Sequence, residues 1–303
     1  MKHIPVMLDE TIELLNIKPD GIYIDGTLGA GGHSLEICKR LTTGRLIGFD
    51  KDAQAIERTT KRLEEYSDKI TLVHSSYTAL REKLDELGIE EVDGVLFDLG
   101  VSSPQFDDPE RGFSYRFDAR LDMRMDQSQA LSAYEVVNNY SEEDLINILK
   151  HHAEERYAPR IVKNIIAARP VETTFQLVDC IRAAYPAKDL KKGHPAKKTF
   201  QALRIEVNDE FGEARSAIRQ AIQSVKPKGR VVVITFHSLE DRFVKELFNE
   251  YGKPAKVNPR IPVLEPVTLD YRLLNKGAKA SEAELEVNNR SHSAILRGIE
   301  RKG

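Results

Sequence analysis

Short apolar runs, three of which end in an acidic residue, alternate with amphipathic stretches over residues 20–98. The apolar runs predict strands, namely Ile22–Asp25, Leu46–Asp50, Ile70–His74 and Val92–Asp98. The amphipathic stretches have apolar positions at helical spacing and predict helices, namely Ser34–Leu41, Ala53–Tyr66 and Thr78–Leu87. Strands and helices in alternation are typical of a parallel sheet with right-handed crossovers. The pattern therefore predicts an α/β protein with a doubly wound sheet.

The alternation stops after residue 98. Residues 107–126 are dense in charged and aromatic side chains, and Ser132–Ala184 carries only helical patterns. We therefore predict a discontinuous sheet domain, residues 1–107 and 206–303, and a helical insertion over 108–205. Because the insertion follows the end of a strand, we expect it to cover that edge of the sheet and to recognise the substrate.

Strand character returns only near the end of the chain. Arg230–Phe236 reads as a strand, preceded by a helix over about 208–225 and a turn at Pro227-Lys228-Gly229. A last alternating run, His292–Arg297, is typical of an edge strand.

Composition describes a globular protein, with 41% apolar and 31% charged residues in 303. No apolar run approaches the ~18 residues of a membrane span, and Met1–Leu15 does not resemble a signal peptide, so we expect a cytoplasmic protein. Cys38 and Cys180 have no metal or redox spacing. We expect both to be buried apolar residues, and we predict no metal site.

The net charge of −3 argues against a general polyanion binder. A nucleic-acid partner would need a local basic patch. One candidate is the segment 188–204, which sets six basic residues against Asp189 alone; they are Lys188, Lys191, Lys192, Lys197, Lys198 and Arg204.

The segment Tyr23–Ser34 carries four glycines after an acid, Asp25, and precedes a predicted helix. Glycine tolerates positive φ and lets a ligand approach the backbone, and the first N–H groups of a helix can bind that ligand. A glycine-rich turn without a ligand is the alternative. Asp25, Asp50 and Asp98 each end a predicted strand, so they share the edge where open α/β sheets bind ligands.

Two cofactor classes suit this edge. The glycine spacing misses the G-x-G-x-x-G of dinucleotide sites, and the Asp25 carboxylate would face a doubly charged pyrophosphate. S-adenosylmethionine carries an ammonium and a sulfonium, which a nearby acid favours, and Asp50 can accept from both ribose hydroxyls. We therefore favour S-adenosylmethionine over a dinucleotide.

The loop after Asp98 reads Leu99-Gly100-Val101-Ser102-Ser103-Pro104-Gln105. Methyl transfer requires the nucleophile to be held in line about 3 Å from the methyl carbon. Asp98, Ser102 and Ser103 could hold an exocyclic amine in that position, so they are the candidate catalytic residues. Ordinary turn residues are the alternative for the two serines.

Several longer blocks resemble one family, the bacterial 16S ribosomal RNA cytosine-N4 methyltransferases (the RsmH or MraW family). They are His3–Leu8, Asp25–Ser34, Asp98–Gln105, Arg111–Ser114, Leu121–Asp126, Thr199–Asn208, Phe236–Arg242 and Asn289–Ser291. The resemblance implies a Rossmann-like methyltransferase sheet with a helical insertion. It also implies S-adenosylmethionine as methyl donor, and N4 of a decoding-site cytidine in 16S ribosomal RNA of the small subunit as acceptor.

The same resemblance implies a set of cofactor contacts: Gly31, Gly32, His33, Asp50, Tyr77, Asp98 and Gln105. Tyr77 stands where phenylalanine is common and keeps an aromatic face. His292 stands where arginine is expected, which puts one RNA contact in doubt.

Other blocks have two interpretations each. His237 could meet the target base or cap the next helix. Salt bridges within the insertion are favoured over RNA contacts for Arg111, Arg116, Arg120 and Arg124, and we expect the methionines of Leu121–Met125 to be core residues. Phosphate contact is favoured over simple solvation for Lys191–Lys198.

Two further function classes remain open from the residues: a non-catalytic RNA-binding module with a vestigial pocket, and a nicotinamide oxidoreductase. The oligomeric state also stays open, a homodimer included.

Overall fold

The computed structural model describes residues 4–191, 193–254 and 268–303. The chain divides into two compact units, one made of Met1–Gly100 with Gly212–Gly303 and one of Val101–Phe211. The second unit is wider at both ends than the insertion predicted over 108–205.

The first unit is built on a sheet that has eight strands within the described residues, in the order β3-β2-β1-β4-β5-β8-β6, with β7 also paired to β8. The strands are β1 (Ile22–Asp25), β2 (Arg45–Asp50), β3 (Ile70–His74), β4 (Val92–Asp98), β5 (Val225–Thr235), β6 (Tyr271–Leu273), β7 (Ala278–Lys279) and β8 (Ile295–Arg301). β1 to β5 pair in parallel, and β8 runs antiparallel to its three partners. The predicted α/β, Rossmann-like sheet is therefore confirmed.

The helices agree with the apolar pattern of the sequence. In chain order they are α1 (Leu8–Leu15), α2 (Gly32–Arg40), α3 (Ala53–Arg62), α4 (Leu80–Glu86), α5 (Ser103–Asp107), α6 (Ala133–Asn139), α7 (Glu142–Ala153), α8 (Ala158–Ala168), α9 (Thr174–Ala184), α10 (Ala187–Leu190), α11 (Ala196–Asn208), α12 (Glu210–Ser224), α13 (Ser238–Gly252) and α14 (Glu282–Val287). None of those in the described part of the chain combines the length and apolar character that a bilayer crossing needs.

The second unit is a helical assembly with its own apolar core. Its fully buried side chains come from one face of each helix and include Leu145, Leu149, Ile161, Ile165, Leu177, Ile181 and Leu203. Serine and threonine side chains cap three of these helices, at Ser132, Ser141 and Thr173, which fixes where the helices begin. Cys180 and, in the first unit, Cys38 are free and buried, as predicted.

The helix predicted over about 208–225 is confirmed as α12 (Glu210–Ser224). It begins at Glu210 because Asp209 is left-handed (φ 44°), which separates α11 from α12. The turn expected at Pro227-Lys228-Gly229 lies inside β5: Val225 pairs with Val92 but Arg230 with Gly94, so the residues between them form a bulge.

The strand predicted at His292–Arg297 exists as β8, but it begins only at Ile295 and it is not an edge strand. Residues Asn289–Ser293 form a 3-10 helix, and β8 begins at Ile295. β8 lies inside the sheet because β6 and β7 pair with its second side. These two strands have three and two residues, too short to show an alternating pattern.

Asn208, at the end of α11, holds the segment after Leu121 in the second unit. Its Oδ1 accepts from the Met125 N–H (2.8 Å), and its Nδ2 donates to the Met123 and Arg204 carbonyls (2.7 and 2.8 Å). Met123 is fully buried, as expected of a core methionine. The amide thus satisfies three buried backbone groups.

We expect Asn208→Ala to lower the free energy of unfolding by about 2–4 kcal/mol, because three buried polar groups lose their partner. Urea unfolding followed by circular dichroism measures the change. The control is Asn139→Ala, at an exposed helix end, which should cost less than about 0.5 kcal/mol. Equal effects from the two variants would contradict this account.

Candidate active site

Three acids end adjacent parallel strands of the sheet unit: Asp25 on β1, Asp50 on β2 and Asp98 on β4. β1 lies between β2 and β4, so the three side chains leave the same edge. Within the described residues, none of them forms an ion pair with a lysine or arginine. No described lysine or arginine therefore compensates the charge of an ionised acid at this edge.

Asp25 organises the glycine-rich turn. Its Oδ2 accepts from the Ser34 hydroxyl (2.6 Å) and its Oδ1 from the Thr27 N–H (3.1 Å). The carboxyl is 2% exposed, and burial raises its pKa above the ordinary range. Asp25 acts on the site through the turn and through its charge, because its two oxygens are already engaged.

Asp50 is also held by backbone N–H groups. Its two oxygens accept from Gly29 and Asp52 at 2.8 Å each. Burial raises the pKa of Asp50 to about 6, so the carboxyl is mostly ionised at neutral pH. Each carboxylate oxygen has a further lone pair, so Asp50 retains acceptor capacity for a ligand.

The glycines of the turn have packing roles that local sequence patterns do not reveal. A Cβ at Gly31 would lie 2.8 Å from Thr59 Cγ2, and one at Gly32 would lie 2.3 Å from Pro5 Cγ. Gly31 is also left-handed, with φ 71°. These two positions exclude larger residues because the protein itself fills the space, so the glycines alone are not evidence of a ligand.

The amino end of α2 follows this turn directly. No side chain caps the helix, whose first residues are Gly32 and His33. The N–H groups of an uncapped first turn attract acceptors such as carboxylates.

His33 is buried and neutral. Its Nε2 lies 3.1 Å from the Val6 carbonyl, and burial lowers its pKa to about 4. A neutral ring beside a carbonyl carries its proton on Nε2, so Nδ1 is an acceptor. Nδ1 lies 3.8 Å from Asp98 Oδ2 and supplies no positive charge to that acid.

Asp98 is the most perturbed group of the edge. Its N–H donates to the Thr27 hydroxyl (2.6 Å), which fixes the strand end. Its Oδ1 is buried and hydrogen-bonds to no described residue. Burial, with the nearby charges of Asp25 and Glu240, raises the pKa of Asp98 to about 8.

Glu240 was missed as part of this site by sequence reasoning. It lies 2% exposed in the first turn of α13, and its Oε2 accepts from the Phe236 N–H (2.7 Å). His237 caps the same helix: its Nδ1 accepts from the Glu240 N–H, and its Nε2 lies 2.9 Å from Glu240 Oε1. The structure therefore favours the capping interpretation of His237.

Tyr77 follows β3 in a 3-10 turn, Tyr77–Ala79. Its ring lies edge-on to Phe97 of β4, with ring centroids 5.7 Å apart. The contact holds the tyrosine ring at the sheet unit while leaving it partly exposed.

The remaining predicted site residues belong to the second unit. Ser102 precedes α5, Ser103 is its first residue, and Gln105 is buried in it. Gln105 Oε1 accepts from the Ser102 N–H at 3.1 Å. The side chain of Ser103 lies outside the described part of the chain.

The arginines of residues 111–124 have different partners. Arg124 forms a bidentate ion pair with Asp122 (2.7 and 2.9 Å), as the salt-bridge interpretation predicts. Arg111 is 2% exposed and donates to the carbonyls of Arg124 and Met125. Arg120 lies over the ring of Tyr134.

The basic segment 188–204 is only partly available to a partner. Lys191, Lys197 and Lys198 are exposed. Arg204 instead forms a bidentate ion pair with Glu210 (2.6 and 2.9 Å). Lys192 lies outside the described residues. No group of His, Cys, Asp or Glu suited to a metal ion occurs in the ranges that the structure describes.

Comparison with known proteins gives a family. The sequence matches the MraW methylase family over residues 1–302. It is 50% identical to the Ribosomal RNA small subunit methyltransferase H of Mesoplasma florum, over 99% of each chain.

Solved structures are more distant. An rRNA methylase from Streptococcus thermophilus shares 11% identity over 97% of this chain and 93% of its own, with a TM-score of 0.43. The N-methyltransferase NodS from Bradyrhizobium japonicum shares 9% identity over 98% and 93%, with a TM-score of 0.42. Family membership therefore rests on the sequence.

Proposed function

The chain belongs to the MraW methylase family of S-adenosylmethionine-dependent methyltransferases, and on that premise we propose its acceptor and its site residues. The acceptor is N4 of a decoding-site cytidine in 16S ribosomal RNA, within the small subunit. The name of the Mesoplasma florum relative supports small-subunit ribosomal RNA as the substrate. That name specifies no atom, so the assignment to N4 is part of the proposal.

The observation that carries the proposal is the Asp98 carboxyl. It is a buried acid with an oxygen that no described residue satisfies, at an edge without a paired cation. A buried carboxylate is costly unless a donor or a positive charge approaches it. S-adenosylmethionine carries its methyl group on a positively charged sulfur. The Asp98 carboxylate would stabilise that positive charge.

Each of the other proposed cofactor contacts would bind a different part of S-adenosylmethionine. The N–H groups of Gly32 and His33 would bind its carboxylate at the start of α2. Asp50 would accept from the ribose hydroxyls. Tyr77 would supply an aromatic face for the adenine. Gln105 belongs to the proposed set through the family resemblance.

Asp98, Ser102 and Ser103 are the proposed catalytic residues. The lone pair of an exocyclic amine is delocalised into the base, so the amine is a weak nucleophile. An Asp98 oxygen that accepts from an N4–H would orient the amine toward the methyl carbon. A carboxyl with a pKa near 8 is also well matched to receive the proton that the methylated amine loses.

Analysis of 16S ribosomal RNA from a strain that lacks this protein tests the proposal. Mass spectrometry of nucleosides, before and after the protein and S-adenosylmethionine are added, should reveal one new N4-methylated cytidine at the decoding site. A methyl group on another atom or nucleotide, or none, would overturn it.

We expect the basic segment to contribute to RNA affinity. Changing Lys191, Lys197 and Lys198 to glutamine should weaken binding and reduce the slope of log K against log salt by about 0.7–0.9 for each phosphate that a lysine neutralises in the wild type. Binding to a labelled ribosomal RNA fragment over a range of salt concentrations measures both. The matched control changes three exposed lysines of the sheet unit, Lys61, Lys245 and Lys253. An unchanged slope in the first variant would mean that these lysines are only solvated.

A further inference from the structure

The helical unit leaves two phenylalanine rings in solvent. Phe117 is 43% exposed and Phe175 is 44% exposed, while most large apolar side chains of this unit are buried. Among the described residues, neither ring stacks on another aromatic ring or lies under a cation. Part of each ring is therefore open to a partner.

Paired backbone segments hold these two residues close together. The Thr174 hydroxyl donates to the Phe117 carbonyl (2.6 Å) and accepts from the Ala119 N–H (3.0 Å). The Phe175 N–H donates to Asp118 Oδ1 at 3.2 Å. An antiparallel bridge between residues 120 and 173 continues the pairing. We call Phe117 and Phe175 the aromatic platform.

Cations flank the platform on the Phe117 side. Arg116 is exposed, and its guanidinium pairs with no described residue. The ring of Tyr115, one residue earlier, stacks on His194 with ring centroids 4.2 Å apart and an angle of 10° between the planes. His194 lies in the chain between Lys191 and Lys197, so this stack joins the platform to the basic segment.

A further cation lies on the platform's own helix. Arg182 of α9 is exposed, and its charge contributes, after burial, to lowering the pKa of His194. Open aromatic rings beside unpaired cations are the combination that binds single-stranded nucleic acid, because bases stack on rings and phosphates attract cations. A protein partner would favour a larger continuous apolar patch.

We propose that Phe117 and Phe175 stack on unpaired bases of the RNA substrate while Arg116 and the neighbouring lysines hold its phosphates. The proposal rests on the proposed function, since it concerns how that RNA is bound. It assigns a sequence-tolerant contact outside the methyl-transfer site.

Phenylalanine-to-leucine variants test the platform, because leucine keeps apolar bulk and removes the ring. We expect Phe117→Leu and Phe175→Leu each to raise the KM for ribosomal RNA by about tenfold. The kcat at saturating RNA and the affinity for S-adenosylmethionine should stay unchanged. Phe117→Tyr and Phe175→Tyr should retain wild-type KM.

Salt dependence distinguishes stacking from charge. The leucine variants should lose the same factor in RNA affinity at every salt concentration. The lysine variants should instead show a smaller slope of log K against log salt. Leu87→Ala, at an exposed apolar site of the sheet unit, is the matched control and should behave as wild type.

Wild-type RNA affinity in a protein that carries both Phe117→Leu and Phe175→Leu would overturn the platform. So would a double variant that keeps its RNA affinity but no longer associates with a second copy of the chain. Far-ultraviolet circular dichroism confirms that the variants fold. A wild-type protein that methylates no ribosomal RNA would instead overturn the proposed function, so the two failures are distinguishable.

Discussion

Asp98→Asn should lower kcat for methyl transfer by about 10³-fold, because the variant loses the acceptor that orients the amine and receives its proton. Asparagine has nearly the same size, so the strand end and the hydrogen bond from the Asp98 N–H to Thr27 should persist. Transfer of a labelled methyl group to ribosomal RNA at saturating donor measures the effect.

The control is Asp20→Asn, an exposed acid of the same unit, which should retain full activity. The free energy of unfolding of Asp98→Asn at pH 8 should not fall, since the wild-type carboxyl is destabilised by burial and by two neighbouring acids. Full methyl transfer by a folded Asp98→Asn protein would rule out the proposed role.

The affinity for S-adenosylmethionine should rise with pH by up to about tenfold per unit between pH 6 and 8, and then level off. The reason is the raised pKa of Asp98, about 8: below it the free protein is protonated at this carboxyl, and binding a cation there requires the proton to leave. His33, with a pKa lowered to about 4, is neutral across this range and contributes nothing. Isothermal titration calorimetry at several pH values measures the slope and the proton release.

In Asp98→Asn the same titration should be almost flat above pH 7. Asp50, whose pKa is about 6, adds a dependence only at the lower end of the range. A wild-type affinity that does not change between pH 6 and 8 would show that Asp98 is not the acid that meets the cation.

The ends of β1, β2 and β4 were predictable from sequence because each of these three apolar runs terminates in an acid. Asp25, Asp50 and Asp98 are placed as the pattern indicated. What each acid does was not predictable. The Asp25 carboxyl is engaged by Ser34 and Thr27. The pKa of Asp98 is raised by burial first, then by Asp25 and by Glu240, which lies 142 positions later in the chain.

The glycine-rich turn was also only partly predictable from sequence. Glycine content correctly indicated a tight turn, but the reason for Gly32 is the ring of Pro5, which no local pattern connects to it. The closeness of Phe117 and Phe175 likewise depends on a bridge between segments more than fifty residues apart. Local periodicity predicts elements, whereas these long-range contacts determine which side chains are buried, charged or open.

The pairing of β4 with β5 has a consequence for synthesis. It joins residues 92–98 to residues 225–234, with the whole helical unit between them. During synthesis the helices are therefore complete before β5 exists, and until then the edge of β4 that pairs with β5 has no partner strand. β5 in turn pairs on its other side with β8, which is synthesised later still. We expect the sheet to be the late-folding part of the molecule and the stage at which chaperones would be most needed.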